Sequence, residues 1–215
     1  MICMDACPLN ACLPYTAERI KKWTPDAKLI FMLRDPVDAS FSGEVMLTNA
    51  GMKLDWTLSE ETETARHPQI EDNPDTEQYW DQLKGLSMED PLPEDLPERI
   101  YTDPSSALYF SKFSERIKPF LEEFPSENIE FVDLSMLRDE QVESTVNDVL
   151  KFIGADPRKY TFEKVSMWSG ERKGRQVDPE MREKMNRYFL PYNKELCDMT
   201  GLDLEWARNG HSSNV

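Results

Sequence analysis

Residues 28–42, KLIFMLRDPVDASFS, join an apolar run to Arg-Asp-Pro, and this junction constrains the fold more than any other stretch of the chain. The run over 28–33 is continuous rather than alternating, the pattern of a parallel strand covered on both faces. Asp35 suits an N-cap and Pro36 a first helical position. A cap carboxylate accepts a backbone N–H left open by the helix, and proline has no N–H to leave unpaired. The helix is predicted to run to about Asn49, with Gly51 just past its end. A strand that passes directly into a helix is the first half of a β-α-β unit.

The rest of the chain supplies matching parts. MICM, residues 1–4, reads as the end of a buried strand, and residues 16–23 as a short helix capped by Thr16. A helix opens at Asp103-Pro104 and runs to about Phe124, with a kink expected at Pro119. Residues 128–133, NIEFVD, form another strand. Residues 139–153 place Val142, Val146, Val149, Leu150 and Ile153 at helical spacing, and Gly154 ends that helix. After a loop over 166–177, helices are predicted over 178–189 and 191–200, stopped by Gly201. Strands separated by helices, at intervals too long for hairpins, give an α/β fold with a parallel sheet in three layers. Its ligand edge lies at the carboxyl ends of the strands, which here carry Asp5, Arg34 and Asp133.

With 215 residues the chain fits one domain, taken as 1–208 with a polar tail over 209–215. Within it, 55–98 is acidic and broken by prolines, and reads as a solvated surface insertion with one helix near 77–86. A formal net charge of −16 argues against nucleic acid as a primary partner, because a large polyanion is repelled overall, while a local pocket can still hold a small anion. No apolar run approaches the roughly 18–20 residues that span a bilayer. The first fifteen residues lack the basic start and long apolar core of a signal peptide. The four cysteines form no CxxC pair and there are two histidines, so a zinc site is not expected and the thiols read as packing groups.

Candidates for chemistry are few. A strand-end arginine above a helix N-terminus can fork onto two oxygens of an anion, with the helix N–H groups aimed the same way. Arg34 fits that role and Ser42, two turns into the helix, can add a hydroxyl. Arg34 paired to a carboxylate with Ser42 facing solvent fits the residues equally. ERKGR, 171–175, sets Lys173 and Arg175 around Gly174 in an otherwise acidic chain. It reads as a phosphate-wrapping loop or as a solvated basic turn. Asp5 is either a base for an incoming hydroxyl or a cap for the turn before Pro8. GxxxxGK[ST] and GxGxxG loops are both absent from the sequence.

These three sites, in this order, resemble the sulfotransferases that use 3′-phosphoadenosine 5′-phosphosulfate (PAPS), and most nearly the carbohydrate branch that includes the heparan sulfate enzymes. DACP at 5–8 stands where that branch carries E-[KA]-[ST]-P. AERI at 17–20 and KLIFMLRDPVDASFS at 28–42 follow in register. FP at 124–125 precedes a strand, and KGR at 173–175 leads to PYN at 191–193 and LEW at 204–206. The resemblance implies the P-loop nucleotide-kinase-like fold without its first strand and phosphate loop. It implies PAPS as cosubstrate, no metal, and transfer of a sulfuryl group to a hydroxyl or amine of a carbohydrate or small alcohol. Arg34 and Ser42 would hold the 3′-phosphate, Lys173, Gly174 and Arg175 would wrap the nucleotide, and Asp5 would act as base.

The sequence departs from that pattern in places. Ala39 replaces an arginine, Glu44 an aromatic residue, and the loop lacks a following His-Pro. Asp5 is one methylene shorter than glutamate, a displacement of about 1 Å that a proton transfer feels. The K-x-G-T-[ST] loop has no counterpart, so the resemblance implies the C-terminal part of a longer domain, slow to turn over alone because charge stabilisation is usually the largest catalytic term. A non-catalytic descendant that binds nucleotide or a partner is the alternative. A secretory lumen such as the Golgi is the expected compartment if a parent chain carries an upstream anchor, and the cytoplasm otherwise.

Overall fold

Strands β1, Leu29–Leu33, and β2, Ile129–Asp133, lie side by side in parallel, with Leu29 opposite Ile129 and Leu33 opposite Asp133. They are the sheet of the computed structural model, which describes residues 4–6, 8–49, 74–96, 105–137, 139–157 and 177–209. A parallel pair needs a crossover. Here it runs through α2, Pro36–Asn49; α3, Pro74–Leu83; α4, Ser105–Ser111; and α5, Phe113–Glu123. Ahead of β1 stands α1, Thr16–Trp23. After β2 come α6, Val142–Phe152; α7, Pro179–Thr200; and α8, Glu205–Asn209. The expected α/β parallel fold is the observed one.

Side chains of a strand alternate between faces. Leu29, Phe31 and Leu33 share one face with Ile129 and Phe131. That face packs on Ala17 and Ile20 of α1, Ile117 and Phe120 of α5, and Trp206 and Ala207 of α8. Phe31 stacks on Phe131 with centroids 5.8 Å apart and meets Phe120 edge-on at 5.2 Å. On the other face lies α6, where Lys28 sets its ammonium 5.1 Å from the Phe152 ring centroid and Val132 is buried. This second layer stops short of β1. Ile30 is 37% and Met32 47% exposed, so the strand is not covered on both faces as its composition suggested.

Other expectations shift in detail. Residues 1–3 of the strand expected over 1–4 lie outside the described residues, and Met4 is exposed and not in a strand. Thr16 is the first residue of α1; the cap is Tyr15, in the left-handed region at φ 49°, with no side-chain bond. The helix expected from 103 to 124, whose first two residues lie outside the described residues, is two helices parted at Lys112, and Pro119 lies exposed inside α5. Lys112 leaves helical geometry, and its ammonium reaches the hydroxyls of Tyr188 and Tyr192 on α7. The two helices expected over 178–189 and 191–200 are one. Pro191 sits in the middle of α7 on its exposed side, where the carbonyl that loses its helix partner is open to solvent. Gly154 and Gly201 stop their helices with φ of 76° and 69°, a conformation other residues resist.

Residues 74–96 differ from a solvated excursion. Most of the acids there are exposed, yet Trp80, Leu83 and Leu96 form a buried cluster with Tyr109 of α4, the Trp80 and Tyr109 rings stacked at 4.7 Å. A second cluster joins Val37 and Phe41 of α2 to Leu108, Val177, Met185 and Phe189. It fixes α7 along the first turns of α2, and so frames the end of β1.

Candidate active site at the carboxyl end of β1

The chain leaves β1 at Leu33, 1% exposed, and turns into α2 through Arg34 and Asp35. Asp35 caps the helix as its spacing predicts: Oδ1 accepts the Val37 N–H at 2.8 Å, and its carbonyl accepts from Ala39 at 2.9 Å. Arg34, half-buried, donates from Nη2 to the Asp38 carbonyl at 2.8 Å. By helix geometry that carbonyl also accepts the Ser42 N–H, so the Arg34 guanidinium and the Ser42 backbone meet at one oxygen. Ser42 is half-buried, on the same helix face as Asp38.

α2 is held from two sides. Ser40 is fully buried, with Oγ 2.8 Å from both the Pro36 carbonyl and Ser111 Oγ, while Ser111 donates to the Ala107 carbonyl. From α7, Arg182 reaches Asp38 Oδ1 at 2.5 Å with Nη2 and stands 3.5 Å from Asp35 Oδ2 with Nη1. α7 is itself capped by Asp178, which accepts from Glu180 and Met181. Sequence reasoning missed Arg182 and Ser40. The arginine sits in an alternation of charges, MREKMNR, in which no spacing marks the one that turns inward.

Burial raises the Asp35 carboxyl above its usual range. The Asp38 charge adds to this, and the Val37 N–H and Arg182 oppose it. A carboxyl whose folded pKa is raised favours the folded state in its protonated form. That contribution is complete below the unfolded value, near 3.9, and is lost as pH rises through the folded one. Asparagine caps as well as aspartate without the buried charge. Asp35→Asn is therefore expected to be at least as stable as the parent at pH 7 and to flatten the pH dependence just above pH 4, read by urea denaturation. A loss above about 1 kcal/mol at pH 7 would show that the Arg182 contact outweighs the burial cost.

Of the other sequence candidates, Asp5 is exposed and accepts from Asn10 Nδ2 at 2.9 Å, the asparagine lying in the short 3-10 turn Pro8–Ala11. Lys173, Gly174 and Arg175 lie outside the described residues; the chain resumes at Val177, buried against Val37 and Phe41. Asp133 at the end of β2 is committed to packing: Oδ1 accepts from the Ser135 N–H and Oδ2 from Trp206 Nε1, each at 2.8 Å. A cavity of about 230 Å³ opens beside it, and Asp133, Asp203 and Glu205 line it, which does not fit an anionic ligand. Among the described residues no group of three or more His, Cys, Asp or Glu could hold a metal ion, and no helix is long and apolar enough to cross a membrane.

What the arrangement around β1 can do is bind an anion through the Arg34 guanidinium, with the Ser42 hydroxyl two turns along the helix; the first N–H groups of α2, at Val37 and Asp38, are taken by the Asp35 carboxylate. Comparison with known proteins bears on the family and the fold. The family model described as the sulfotransferase domain matches residues 8–173. The crystal structure of a sulfotransferase from Alicyclobacillus acidocaldarius is similar in fold, with a TM-score of 0.61 at 20% identity, over 94% of this chain and 65% of that one. This chain thus spans less than two thirds of that structure. No curated protein matches the sequence. On the family match over 8–173, which takes in β1, the Arg34 turn, α2 and β2, the chain belongs to the sulfotransferase domain family.

Proposed function

We propose that the protein transfers a sulfuryl group from PAPS to a hydroxyl or amine, with a carbohydrate as the favoured acceptor class. The observation that carries this reading is the turn after β1, where half-buried Arg34 is anchored on the Asp38 carbonyl within a domain matched to the sulfotransferase family. Arg34 and Ser42 take the 3′-phosphate of the nucleotide. Lys173, Gly174 and Arg175, which lie outside the described residues, are assigned to wrap the nucleotide. Support for that pairing is the burial of Val177, two residues after Arg175, against Val37 and Phe41 on α2.

The reaction is an in-line displacement at sulfur. The acceptor oxygen or nitrogen forms a bond to sulfur as the bond from sulfur to the bridging oxygen breaks, and adenosine 3′,5′-bisphosphate leaves. The acceptor proton passes to a base, the role given to Asp5, whose carboxylate is exposed and held by Asn10. The chain's charge of −16 favours a neutral or lightly charged sugar or a small alcohol over a heavily sulfated acceptor.

Calorimetric titration tests the nucleotide site. Adenosine 3′,5′-bisphosphate is expected to bind at least about tenfold more tightly than adenosine 5′-monophosphate, since the added phosphate meets a charged hydrogen-bond donor. Equal affinity would overturn the reading. Transfer of labelled sulfate from PAPS to neutral saccharides tests turnover. The exposure of Asp5 supports a second reading, a domain that binds nucleotide without transfer; binding with no labelled product under any acceptor would favour it.

A further inference from the structure

The cavity of about 230 Å³ at the carboxyl end of β2 is lined by two kinds of surface. Phe131 of β2, Met136 of the 3-10 turn Leu134–Leu137, Leu202 and Trp206 of α8 are apolar. Asp133, Asp203 and Glu205 border the same space. The three acids differ in what they meet. Asp203 pairs with Arg208 through both oxygens, which balances its charge. Asp133 accepts the N–H groups of Ser135 and Trp206; these donors are neutral and leave its charge in place. Glu205, exposed at the start of α8, has no ion-pair partner among the described residues.

Those surfaces select a ligand by chemistry. An anion is repelled. A metal ion needs several converging oxygens, and no group of three or more Asp, Glu, His or Cys among the described residues could hold one. A primary alkylammonium suits both surfaces. Its N–H groups are donors for carboxylates, which only accept, and its carbon chain covers Phe131, Met136 and Leu202. We infer that this cavity is a binding site for a small primary ammonium. The volume falls below the roughly 300–1,000 Å³ of sites for drug-sized molecules, so the ligand is a short chain. The site is separate from the proposed nucleotide site and does not rest on it: Arg34, Ser42 and Asp5 do not line the cavity. Asp203 and Glu205 are exposed, so water screens them and the affinity is modest.

The cavity carries its own reporter. Trp206 Nε1–H, bonded to Asp133 at 2.8 Å, belongs to the lining, whereas the indole of Trp23, 76% exposed at the end of α1, does not. Titration of n-butylammonium chloride into the ¹⁵N-labelled full chain is expected to shift the Trp206 indole resonance saturably, with a dissociation constant of about 1–10 mM. Sodium chloride at matched ionic strength is expected to leave that resonance in place. Butan-1-ol, the same chain without the charge, is expected to bind at least about fivefold more weakly. Glu205→Gln is expected to weaken the ammonium about threefold. Met136→Lys sets a tethered ammonium into the cavity from a residue 42% exposed, and is expected to weaken binding at least about tenfold. A dispersed amide spectrum shows that each variant is folded. The absence of a saturable Trp206 shift below about 50 mM butylammonium would overturn the inference. Equal binding of butan-1-ol would overturn it as well. A shift of equal size at Trp23 that Glu205→Gln leaves unchanged would mean general attraction of cations to an acidic chain, and would also overturn it.

Discussion

Replacing Arg34 by alanine is expected to weaken binding of adenosine 3′,5′-bisphosphate by about a hundredfold, roughly 2.7 kcal/mol, with adenosine 5′-monophosphate affected by less than about threefold. The size follows from chemistry. A guanidinium meeting a phosphate makes charge-assisted hydrogen bonds in parallel, each stronger than a neutral one, in a half-buried setting where water screens them less. The selectivity follows from geometry. Arg34 stands at the end of β1, anchored on the Asp38 carbonyl, and in the proposed reading it addresses only the 3′-phosphate end of the nucleotide. Calorimetry with the two nucleotides measures both numbers. A parallel loss for both ligands would mean that the substitution disturbs the helix start, and an absence of loss would remove Arg34 from the site. Arg34→Lys is expected to recover only part of the affinity, because the ammonium keeps the charge and not the fork.

Phe189→Ala is expected to destabilise the protein by about 3–5 kcal/mol in urea denaturation, the cost of emptying a large, fully packed site. Phe189 is 0% exposed, on the α7 turn that carries Met185 one turn earlier, and it packs with Val37, Phe41 and Leu108. Tyr188 meets its ring edge-on at 5.1 Å. Domains of this size are held by about 5–15 kcal/mol, so the loss would consume a large part of the total. Phe189→Leu keeps most of the volume and is expected to cost about 1.5 kcal/mol. A loss below about 1 kcal/mol for the alanine variant would show that α7 is not packed on α2 as described. The same cluster supports the turn that carries Arg34, so the alanine variant is also expected to bind nucleotide less well even under conditions where it remains folded.

The junction of β1 and α2 was legible because every part of it is local. An apolar run, a cap carboxylate and a proline at a first helical position are separate signals that agree, and Asp35 does cap the helix by bonding the Val37 N–H. The stops at Gly154 and Gly201 were legible for the same reason, since a positive φ favours glycine whatever surrounds it. The errors share the opposite cause. Pro191 does not end a helix as its position in the sequence suggests; it lies on the exposed side of α7, where a carbonyl left without a helix partner can turn to solvent. The break between α4 and α5 falls at Lys112, a residue with ordinary helix propensity, because its buried ammonium has two tyrosine hydroxyls to meet on α7.

Sequence alone determined the kind of fold, the position of the strand-end arginine and the family likeness, since each depends on residues within a few positions of one another or on ordered motifs. Tertiary structure decided which charges face each other. Arg182 lies 144 residues from Asp38, and nothing in the alternating charges around it marks it as the one that turns inward. The burial of Trp80, Leu83 and Leu96 within an acidic stretch was decided the same way, by the face that α4 presents to them. Propensity and capping act through neighbours in the chain, whereas charge pairing and burial act through neighbours in space, and only folding supplies those.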